Sequence, residues 1–223
     1  MIDGETLARD GFCVVPGLLD AAACRDLAAL WRAPERFRSH VVMQRHGYGQ
    51  GDYRYFAYPL PEPVETLRQA LYPPLAAVAD RWNEALGLAE RYPAALSDWL
   101  AHCHANGQPR PTPLLLRYTA GGYNCLHRDL YGPLVFPLQV AVLLSEPGRD
   151  FEGGEFMLVE QRPRKQSRGE VVPLRRGDAV AFAVNQRPAR GSRGVHRAAM
   201  RHGVATIRRG ERFTLGLIFH DAA

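Results

Sequence analysis

Residues 114–129 read LLLRYTAGGYNCLHRD, and residues 202–219 read HGVATIRRGERFTLGLIF. In both stretches, turn residues separate short apolar or β-branched runs, a pattern typical of antiparallel strands. Seven such runs follow residue 112: Leu114–Tyr118, Pro137–Leu144, Glu155–Val159, Val171–Leu174, Ala179–Val184, Val204–Ile207 and Phe213–Phe219. Their short spacing predicts an antiparallel β-sandwich or barrel.

The first half of the chain carries helical signals. Asp20 is placed to cap a helix over residues 21–32, because its side-chain oxygen can accept hydrogen bonds from the open amides of the first turn. A second helical stretch begins near Pro63 and is predicted to break at Pro73-Pro74, where Pro74 suits the first turn of a new helix. A third helix is expected from about Pro93 to His104.

The segment Gly47–Tyr58 reads GYGQGDYRYFAY, and its glycine and tyrosine content predicts a surface loop near a mouth or lid. The length of 223 residues favours one domain, with a helical N-terminal part over residues 1–111 and a β core over residues 112–223.

Composition places the chain among ordinary globular proteins and excludes disordered and collagen-like classes, with 46% hydrophobic and 23% charged residues. No stretch approaches the ~20 apolar residues of a membrane span, and the first residues lack a signal-peptide pattern, so a cytoplasmic protein is expected. The four cysteines form no CxxC pair, which argues for reduced thiols rather than a disulfide framework or a thiolate zinc site.

Charge is distributed unevenly along the chain. Residues 162–212 hold 13 Arg and Lys165 against three acidic residues, a net charge of +11, whereas residues 1–161 sum to −5. A positive face of this kind attracts anions, whether a carboxylate, an acidic peptide or a nucleic acid.

His127 and Asp129 form the sharpest local motif. On a strand, residues i and i+2 point to the same face, so both side chains can reach one metal ion. A third ligand is needed, and His196 and His202 are the candidates. Two histidines and one carboxylate with open positions on the metal are typical of non-haem Fe(II) oxygenases.

The combination of His127-x-Asp129, a distal His202 and Arg212 ten residues later resembles the 2-oxoglutarate/Fe(II)-dependent dioxygenase superfamily, and its prolyl-4-hydroxylase-like branch most closely. The similarity spans about residues 112–221, and the opening Asp10–Leu19 also resembles the first strand and first helix of that branch. The resemblance implies an α+β protein with a double-stranded β-helix, or jelly-roll, core beneath an N-terminal helical layer. It also implies Fe(II), 2-oxoglutarate and O₂ as cofactor and cosubstrates, with ascorbate as a further cofactor.

In that family the two histidines and the carboxylate hold iron, and the arginine binds the far carboxylate of 2-oxoglutarate. Arg212 suits this role because a guanidinium makes paired, charge-assisted hydrogen bonds to a carboxylate. Thr214 lies on the same face of the strand and can add a hydroxyl. The resemblance also places Tyr118, nine residues before His127, near this carboxylate.

The distal histidine is chosen by reach. If residues 202–219 form a hairpin that brings Thr206 beside Arg212, then His202 lies about 13 Å from the turn and His196 about 33 Å, at ~3.3 Å per residue. An imidazole, a metal, a five-carbon diacid and an arginine side chain together bridge about 20 Å. His202 is therefore preferred, and His196 is the alternative.

The resemblance implies hydroxylation of an unactivated C–H bond with conversion of 2-oxoglutarate to succinate and CO₂. Asp129 argues against a halogenase, in which chloride takes the place of the carboxylate. A zinc hydrolase and a noncatalytic cupin-type jelly roll are the rival functions, because both accept the same metal ligands. Neither needs Arg212 to grip a dicarboxylate.

For the substrate, a protein, peptide or small molecule ranks first, and the arginine excess favours an anionic one. Nucleic acid ranks second, because residues 162–212 contain one aromatic side chain, Phe182. A stacking platform for bases would have to come from Tyr53, Tyr55, Phe56 and Tyr58. The substrate pocket is expected between the N-terminal helices, the loop Gly47–Tyr58 and the loop Arg187–Arg201.

Overall fold

The computed structural model of this chain describes residues 2–191 and 194–223. Met1, together with Ser192 and Arg193 of the arginine-rich segment, lies outside the described residues. The helices are α1 (Gly4–Asp10), α2 (Ala21–Ala29), α3 (Glu62–Ala85) and α4 (Leu96–Ala105). The strands are β1 (Phe12–Val15), β2 (Phe37–Val42), β3 (Gly49–Gln50), β4 (Asp52–Phe56), β5 (Leu114–Thr119), β6 (Tyr123–His127), β7 (Leu138–Leu143), β8 (Phe151–Gly153), β9 (Phe156–Gln161), β10 (Arg168–Val172), β11 (Ala179–Ala183), β12 (Gln186–Gly191), β13 (Gly194–Val204) and β14 (Ile207–Ile218).

The strands form two antiparallel sheets that enclose the core. The larger sheet has the order β1-β11-β7-β14-β5-β4-β2, with β8 paired to β14. The smaller sheet has the order β10-β9-β13-β6-β3, with β12 paired to β13. Apolar side chains of both sheets meet between them, as Phe156 of β9 meets Phe182 of β11 with ring centroids 5.1 Å apart. The predicted α+β architecture with a jelly-roll core is confirmed.

Helix α3 is continuous, so the predicted break at Pro73-Pro74 is wrong. Both prolines lie on the exposed face of the helix, and the carbonyls that lose their amide partners belong to Gln69 and Ala70, which are also exposed. Water can therefore satisfy these carbonyls. The opposite face buries ten residues against the core, and burial of its larger apolar side chains contributes about 1.5–3 kcal/mol each, which outweighs the ~3 kcal/mol cost of each proline.

The other helices begin close to their predicted positions. The Asp20 carboxylate accepts from the Ala23 amide at 2.8 Å and caps α2, which passes into a 3₁₀ turn over Leu30–Arg32. Helix α4 begins at Leu96, three residues later than expected. Within the described residues, no helix combines the length and the apolarity needed to cross a membrane.

The segment Gly47–Tyr58 is not a loop. It contains β3 and β4, and β4 lies between β2 and β5 in the larger sheet, with Tyr53 opposite Leu116. The tyrosine-rich run DYRYF is a good strand former because aromatic side chains pack well on a pleated surface. The first half of the chain thus supplies four strands as well as the helices.

Strands β13 and β14 do not form the predicted hairpin. Strand β13 pairs with β6, β9 and β12 in the smaller sheet, whereas β14 pairs with β5, β7 and β8. The chain crosses between the sheets at Ala205-Thr206, inside the run that the sequence pattern assigned to a strand. Residues on β13 and β14 therefore approach the interior from opposite sides.

Buried charges anchor the end of the chain to the helical layer. Arg68 of α3 donates to Asp221 at 2.8 Å and to the carbonyl of Ile218 at 2.9 Å. The other carboxylate oxygen of Asp221 accepts from the Tyr58 hydroxyl at 2.7 Å and contacts His104 of α4 at 2.8 Å. Arg68 and Asp221 are fully buried, so this pair depends on its internal partners rather than on water.

Candidate active site

A cavity of about 530 Å³ opens between the two sheets. The side chains of β6 and β13 line it on one side, and those of β5, β7 and β14 line it on the other. His127, Asp129 and His202 lie on its first side, and Arg212 and Thr214 on its second. The cavity thus gathers candidate residues from stretches nearly a hundred positions apart in the sequence.

Three metal-ligating side chains meet in this cavity. His127 ends β6, and its register partner on β13 is His202. Asp129 follows two residues after His127, and its Oδ1 and Oδ2 lie 3.4 Å from His127 Nε2 and 3.3 Å from His202 Nε2. Ligands about 2 Å from one metal and at right angles are about 3 Å apart. The cluster therefore has the spacing of adjacent positions around a single ion.

Hydrogen bonding prepares these groups for a cation. Nδ1 of His127 donates to the Cys125 carbonyl at 2.8 Å, which leaves the Nε2 lone pair free to face the cavity. Burial alone would raise the pKa of Asp129, but hydrogen bonds with His127 and His202 hold it well below its usual range. Burial, and repulsion from His127, lower the pKa of His202 and favour its neutral form. Burial alone would lower the pKa of His127, but its hydrogen bond with Asp129 and the charge of Asp129 raise it. A carboxylate and neutral imidazoles are the forms that bind metal, so an ion that binds here displaces any proton on His127.

His196, the alternative distal histidine, lies elsewhere on β13. It pairs with Ala189 of β12, six residues and thus about 20 Å along the strand from His202. Only His202 joins the cluster with His127 and Asp129. The reach argument selects the histidine that the fold brings to the cavity, although the hairpin on which it was based is absent.

Arg212 is a buried cation without a counter-ion. Its side chain is 1% exposed, and Nη1 donates to the Thr214 hydroxyl at 2.5 Å. Its Nε has no partner, and no acidic group of the described residues forms an ion pair with it. Burial lowers the pKa of Arg212 to about 10, so the guanidinium is still charged at neutral pH. An unpaired buried charge is costly, so this position suits an anion that enters the cavity.

Tyr118 completes the surroundings of Arg212. It is the register partner of Arg212 on β5, and the guanidinium lies 5.8 Å from the centre of its ring. The Tyr118 hydroxyl accepts from the Asn124 amide at 3.3 Å, and burial raises its pKa, so the phenol stays protonated. Gly51 makes room for this ring, because a Cβ there would lie 2.7 Å from a ring carbon.

Two small residues line the cavity on the side of Arg212 and Thr214. Gly216 follows Thr214 on the same face of β14, and its register partner on β7 is Ala141. Both residues line the cavity. A Cβ at Gly216 would lie 2.6 Å from Leu114, so a larger residue would disturb this wall.

Exposed apolar side chains surround the mouth of the cavity. Tyr48 is 50% exposed and stacks on His46, with ring centroids 5.3 Å apart and planes 20° apart. Leu126 and Leu130 are 41% and 49% exposed, and the exposed Arg128 lies between them in sequence. Apolar patches of this kind are typical of binding surfaces.

The aromatic platform expected from β4 is absent. Tyr53 lines the cavity, but Tyr55 and Phe56 are buried. Tyr58 is engaged in the hydrogen bond with Asp221. Tyr55 and Phe56 project to opposite faces of β4, where Tyr55 packs with Leu114 and Phe56 stacks on Phe37, and Tyr48 provides the exposed ring instead.

The described residues of the segment Arg187–Arg201 do not line this cavity, contrary to expectation. In the described part of the chain, Arg187–Arg201 belongs to β12 and β13, which border a second cavity of about 920 Å³ beside α1 and α3. Arg187 of this segment pairs with Glu160 at 2.9 Å. No helical residue lines the cavity of His127, so the helices do not form the predicted wall either.

A sequence model of the Oxygenase-NA family, described as "Oxygenase, catalysing oxidative methylation of damaged DNA", matches residues 51–222. The chain belongs to this family. Over 168 residues it is also 54% identical to an uncharacterized protein of Mycobacterium tuberculosis, found in strains CDC 1551 and H37Rv, covering 75% of this chain and 72% of the relative.

Solved structures share the fold of this Oxygenase-NA protein. A Pseudomonas putida prolyl-4-hydroxylase is 17% identical, with 99% of this chain and 97% of that chain covered and a TM-score of 0.56. A 2OG-Fe(II) oxygenase family oxidoreductase of Burkholderia pseudomallei is 18% identical, with 99% and 90% covered and a TM-score of 0.54. The epimerase SnoN from nogalamycin biosynthesis is 18% identical, with 96% and 78% covered and a TM-score of 0.58.

Family and fold together make this Oxygenase-NA member a 2-oxoglutarate-dependent non-haem iron dioxygenase. His127, Asp129 and His202 form a cluster that could hold its metal ion. The superfamily predicted from the residues 127–129, 202 and 212 is therefore confirmed.

The sequence patterns did not predict three residues of this Oxygenase-NA site. Asn124, Gln139 and Tyr131 all line the cavity, and Tyr131 donates to Asp129 at 2.7 Å. The spacing of two residues between Asp129 and Tyr131 is a signal that could have found the latter, because alternate residues of an extended segment share a face. Gln139 lies in the apolar run of β7 and leaves no comparable signal.

Proposed function

We propose that this dioxygenase oxidises an alkyl group on a nucleic-acid base, with iron held by His127, Asp129 and His202 and 2-oxoglutarate held by Arg212. The observation that carries the assignment of the site is the buried, unpaired Arg212 in the same cavity as two histidines and a carboxylate. A metal site alone would not need that cation.

The residues present fit an iron cofactor. Two imidazoles and one carboxylate are the ligand set of non-haem Fe(II) oxygenases, and they leave positions open for a cosubstrate. Iron bound there, with O₂ and 2-oxoglutarate, supplies the oxidation of a C–H bond to C–OH with release of succinate and CO₂. Phe156 and Phe182 pack on His202, with ring centroids 6.1 Å and 4.7 Å away, and keep water from this side of the site.

Arg212 binds the far carboxylate of 2-oxoglutarate through its guanidinium. Thr214 holds that guanidinium in place by accepting from Nη1, and Tyr118 presents a phenol from the neighbouring strand. Ala141 and Gly216 leave room for the carbon chain between this carboxylate and the metal. All the residues assigned to iron and cosubstrate lie within residues 112–223, which we propose as the catalytic core.

The mouth of the cavity supports the choice of a base as substrate. Tyr48 offers an exposed ring for stacking, which contributes about 1–3 kcal/mol per base, and Arg128 offers a cation for a phosphate. The family description also names damaged DNA. Hydroxylation of an N-methyl carbon gives N–CH₂OH, which loses formaldehyde and leaves an N–H on the base.

The ranking of peptides and small molecules above nucleic acids depended on residues 162–212, where aromatic side chains are scarce. Within that segment, Arg162, Arg168, Arg187 and Arg190 border the second cavity, so these arginines say little about the substrate. For the same reason, the arginine excess of this segment is weak support for an anionic substrate. A peptide or small molecule is thus retained as an outcome of the test.

The test is turnover of single-stranded oligonucleotides that carry N-methylated bases, with unmethylated strands as controls. We expect formaldehyde and succinate in equal amounts from the methylated strands only. Tyr48→Ala should raise KM about 5- to 150-fold, the equivalent of 1–3 kcal/mol of stacking, without changing 2-oxoglutarate affinity. Tyr123→Ala is the matched control, because Tyr123 is 39% exposed and does not line the cavity.

Two results would overturn the choice of substrate. One is succinate release driven by peptides or small metabolites with no product from any methylated strand. The other is equal loss of activity in Tyr48→Ala and Tyr123→Ala, since stacking at the mouth predicts a loss only in the first.

A further inference from the structure

Tyr131 contacts the carboxylate of the metal cluster. Its hydroxyl donates to Asp129 Oδ1 at 2.7 Å. In the described residues, Tyr131 is the one group outside the cluster that donates to Asp129. It lies in the segment after β6, two residues beyond Asp129.

The surrounding core fixes the ring of Tyr131. Tyr55 of β4 meets it edge-on, with ring centroids 6.0 Å apart and planes 86° apart. The ring of His220, after β14, lies 6.1 Å away on another side. A hydroxyl fixed in this way can select one oxygen of a carboxylate.

Whether Asp129 binds a metal through one oxygen or two determines how many coordination positions remain open. An octahedral ion with three protein ligands keeps three positions, which is the number that a bidentate 2-oxo acid and O₂ require. If Asp129 bound through both oxygens, the protein would fill four positions and leave too few. The reaction therefore needs a carboxylate that binds through a single oxygen.

We propose that Tyr131 is a positioning residue that engages Oδ1 of Asp129 and leaves Oδ2 as the single metal ligand. The inference rests on the proposed role of the cluster as the iron site. Each carboxylate oxygen lies near one histidine, Oδ1 at 3.4 Å from His127 Nε2 and Oδ2 at 3.3 Å from His202 Nε2, and the hydrogen bond from Tyr131 distinguishes them. The phenol thus acts through Asp129 and keeps a coordination position available to the cosubstrate.

The test compares Tyr131→Phe with Tyr72→Phe. Each variant loses one buried hydroxyl, but that of Tyr72 has no hydrogen-bond partner and lies in the core against Phe136 and Phe219. Binding of Fe(II) is measured anaerobically by calorimetry, and binding of 2-oxoglutarate to the iron-loaded protein by its visible charge-transfer band.

We expect Tyr131→Phe to weaken Fe(II) binding about 10- to 100-fold, the usual effect of losing an outer hydrogen bond to a metal ligand. At saturating Fe(II) we also expect weaker 2-oxoglutarate binding and a displaced band, which a purely structural role would not produce. Tyr72→Phe should match the wild type in all three measurements.

Unchanged iron affinity, 2-oxoglutarate affinity and band position in Tyr131→Phe would overturn the proposal. A wild type that forms no band would instead refute the proposed iron site itself. If Tyr131→Phe does not fold, a crystal structure of the wild type with Mn(II) and 2-oxoglutarate decides. Binding of Asp129 through Oδ2 alone supports the proposal, and binding through both oxygens contradicts it.

Discussion

Replacing Arg212 by methionine separates ligand binding from stability. Arg212 is 1% exposed, and among the described residues its guanidinium has Thr214 as hydrogen-bond partner and no counter-ion. Removing an unpaired buried charge relieves a desolvation cost, whereas the Thr214 hydroxyl loses a bond worth about 1 kcal/mol. We therefore expect Arg212→Met to fold with a free energy of unfolding within about 1–2 kcal/mol of the wild type.

The loss of 2-oxoglutarate affinity should be much larger. Charge-assisted hydrogen bonds contribute about 1.5–3 kcal/mol each, so a carboxylate bound by two of them loses at least about 3 kcal/mol, or about 100-fold in Kd. At 100 times the wild-type Kd, 2-oxoglutarate stabilises the metal-loaded wild type by about 2.7 kcal/mol but the variant by only about 0.4 kcal/mol.

Thermal unfolding reports both effects. For a chain of this size, 1 kcal/mol corresponds to about 2–4 °C in Tm, so 2-oxoglutarate should raise the Tm of the Mn(II)-loaded wild type by about 5–11 °C and that of Arg212→Met by about 1 °C. The reasoning is refuted if Arg212→Met lowers the Tm of the free protein strongly and yet keeps the full shift with 2-oxoglutarate. Arg212 would then be a structural residue.

Three further changes have defined outcomes. His202→Ala should abolish Fe(II) binding in calorimetry, while His196→Ala should retain it; the reverse result would reassign the distal ligand. Thr214→Val should raise the Kd of 2-oxoglutarate about 2- to 10-fold, because the guanidinium loses one hydrogen bond. Burial, and then repulsion from Arg68, lower the pKa of His220 to about 4, so the unfolded state binds its proton first as the pH falls. The free energy of unfolding should therefore fall by about 3 kcal/mol between pH 6.5 and pH 4, and urea titrations of His220→Leu should show a smaller fall.

Local signals in the sequence were sufficient for much of the fold. The Asp20 cap, the apolar runs of the core strands and the shared face of His127 and Asp129 each depend on residues a few positions apart. Arg212 was identified from the family resemblance, and the period of two along its strand then placed Thr214 on the same face. Such features can be predicted from the sequence because they depend only on local backbone geometry.

Long-range packing explains the errors. Helix α3 continues through Pro73-Pro74 because its opposite face is buried by elements distant in sequence. The separation of β13 and β14 depends on their partners in different sheets, which a run of apolar residues does not specify. The sequence also did not show which tyrosine of Gly47–Tyr58 is exposed at the mouth. The pairing of β4 with β5 fixes the buried position of Tyr55, and Tyr48 lies outside that strand.

The central claim is that iron and 2-oxoglutarate share the cavity between His127, His202 and Arg212. The most direct measurement is an anaerobic titration of the purified protein with Fe(II) and then 2-oxoglutarate, followed in the visible range. The account predicts a charge-transfer band in the wild type that needs far more 2-oxoglutarate in Arg212→Ala. Metal binding with no band at any 2-oxoglutarate concentration would contradict it and favour a zinc hydrolase or a noncatalytic metal-binding jelly roll.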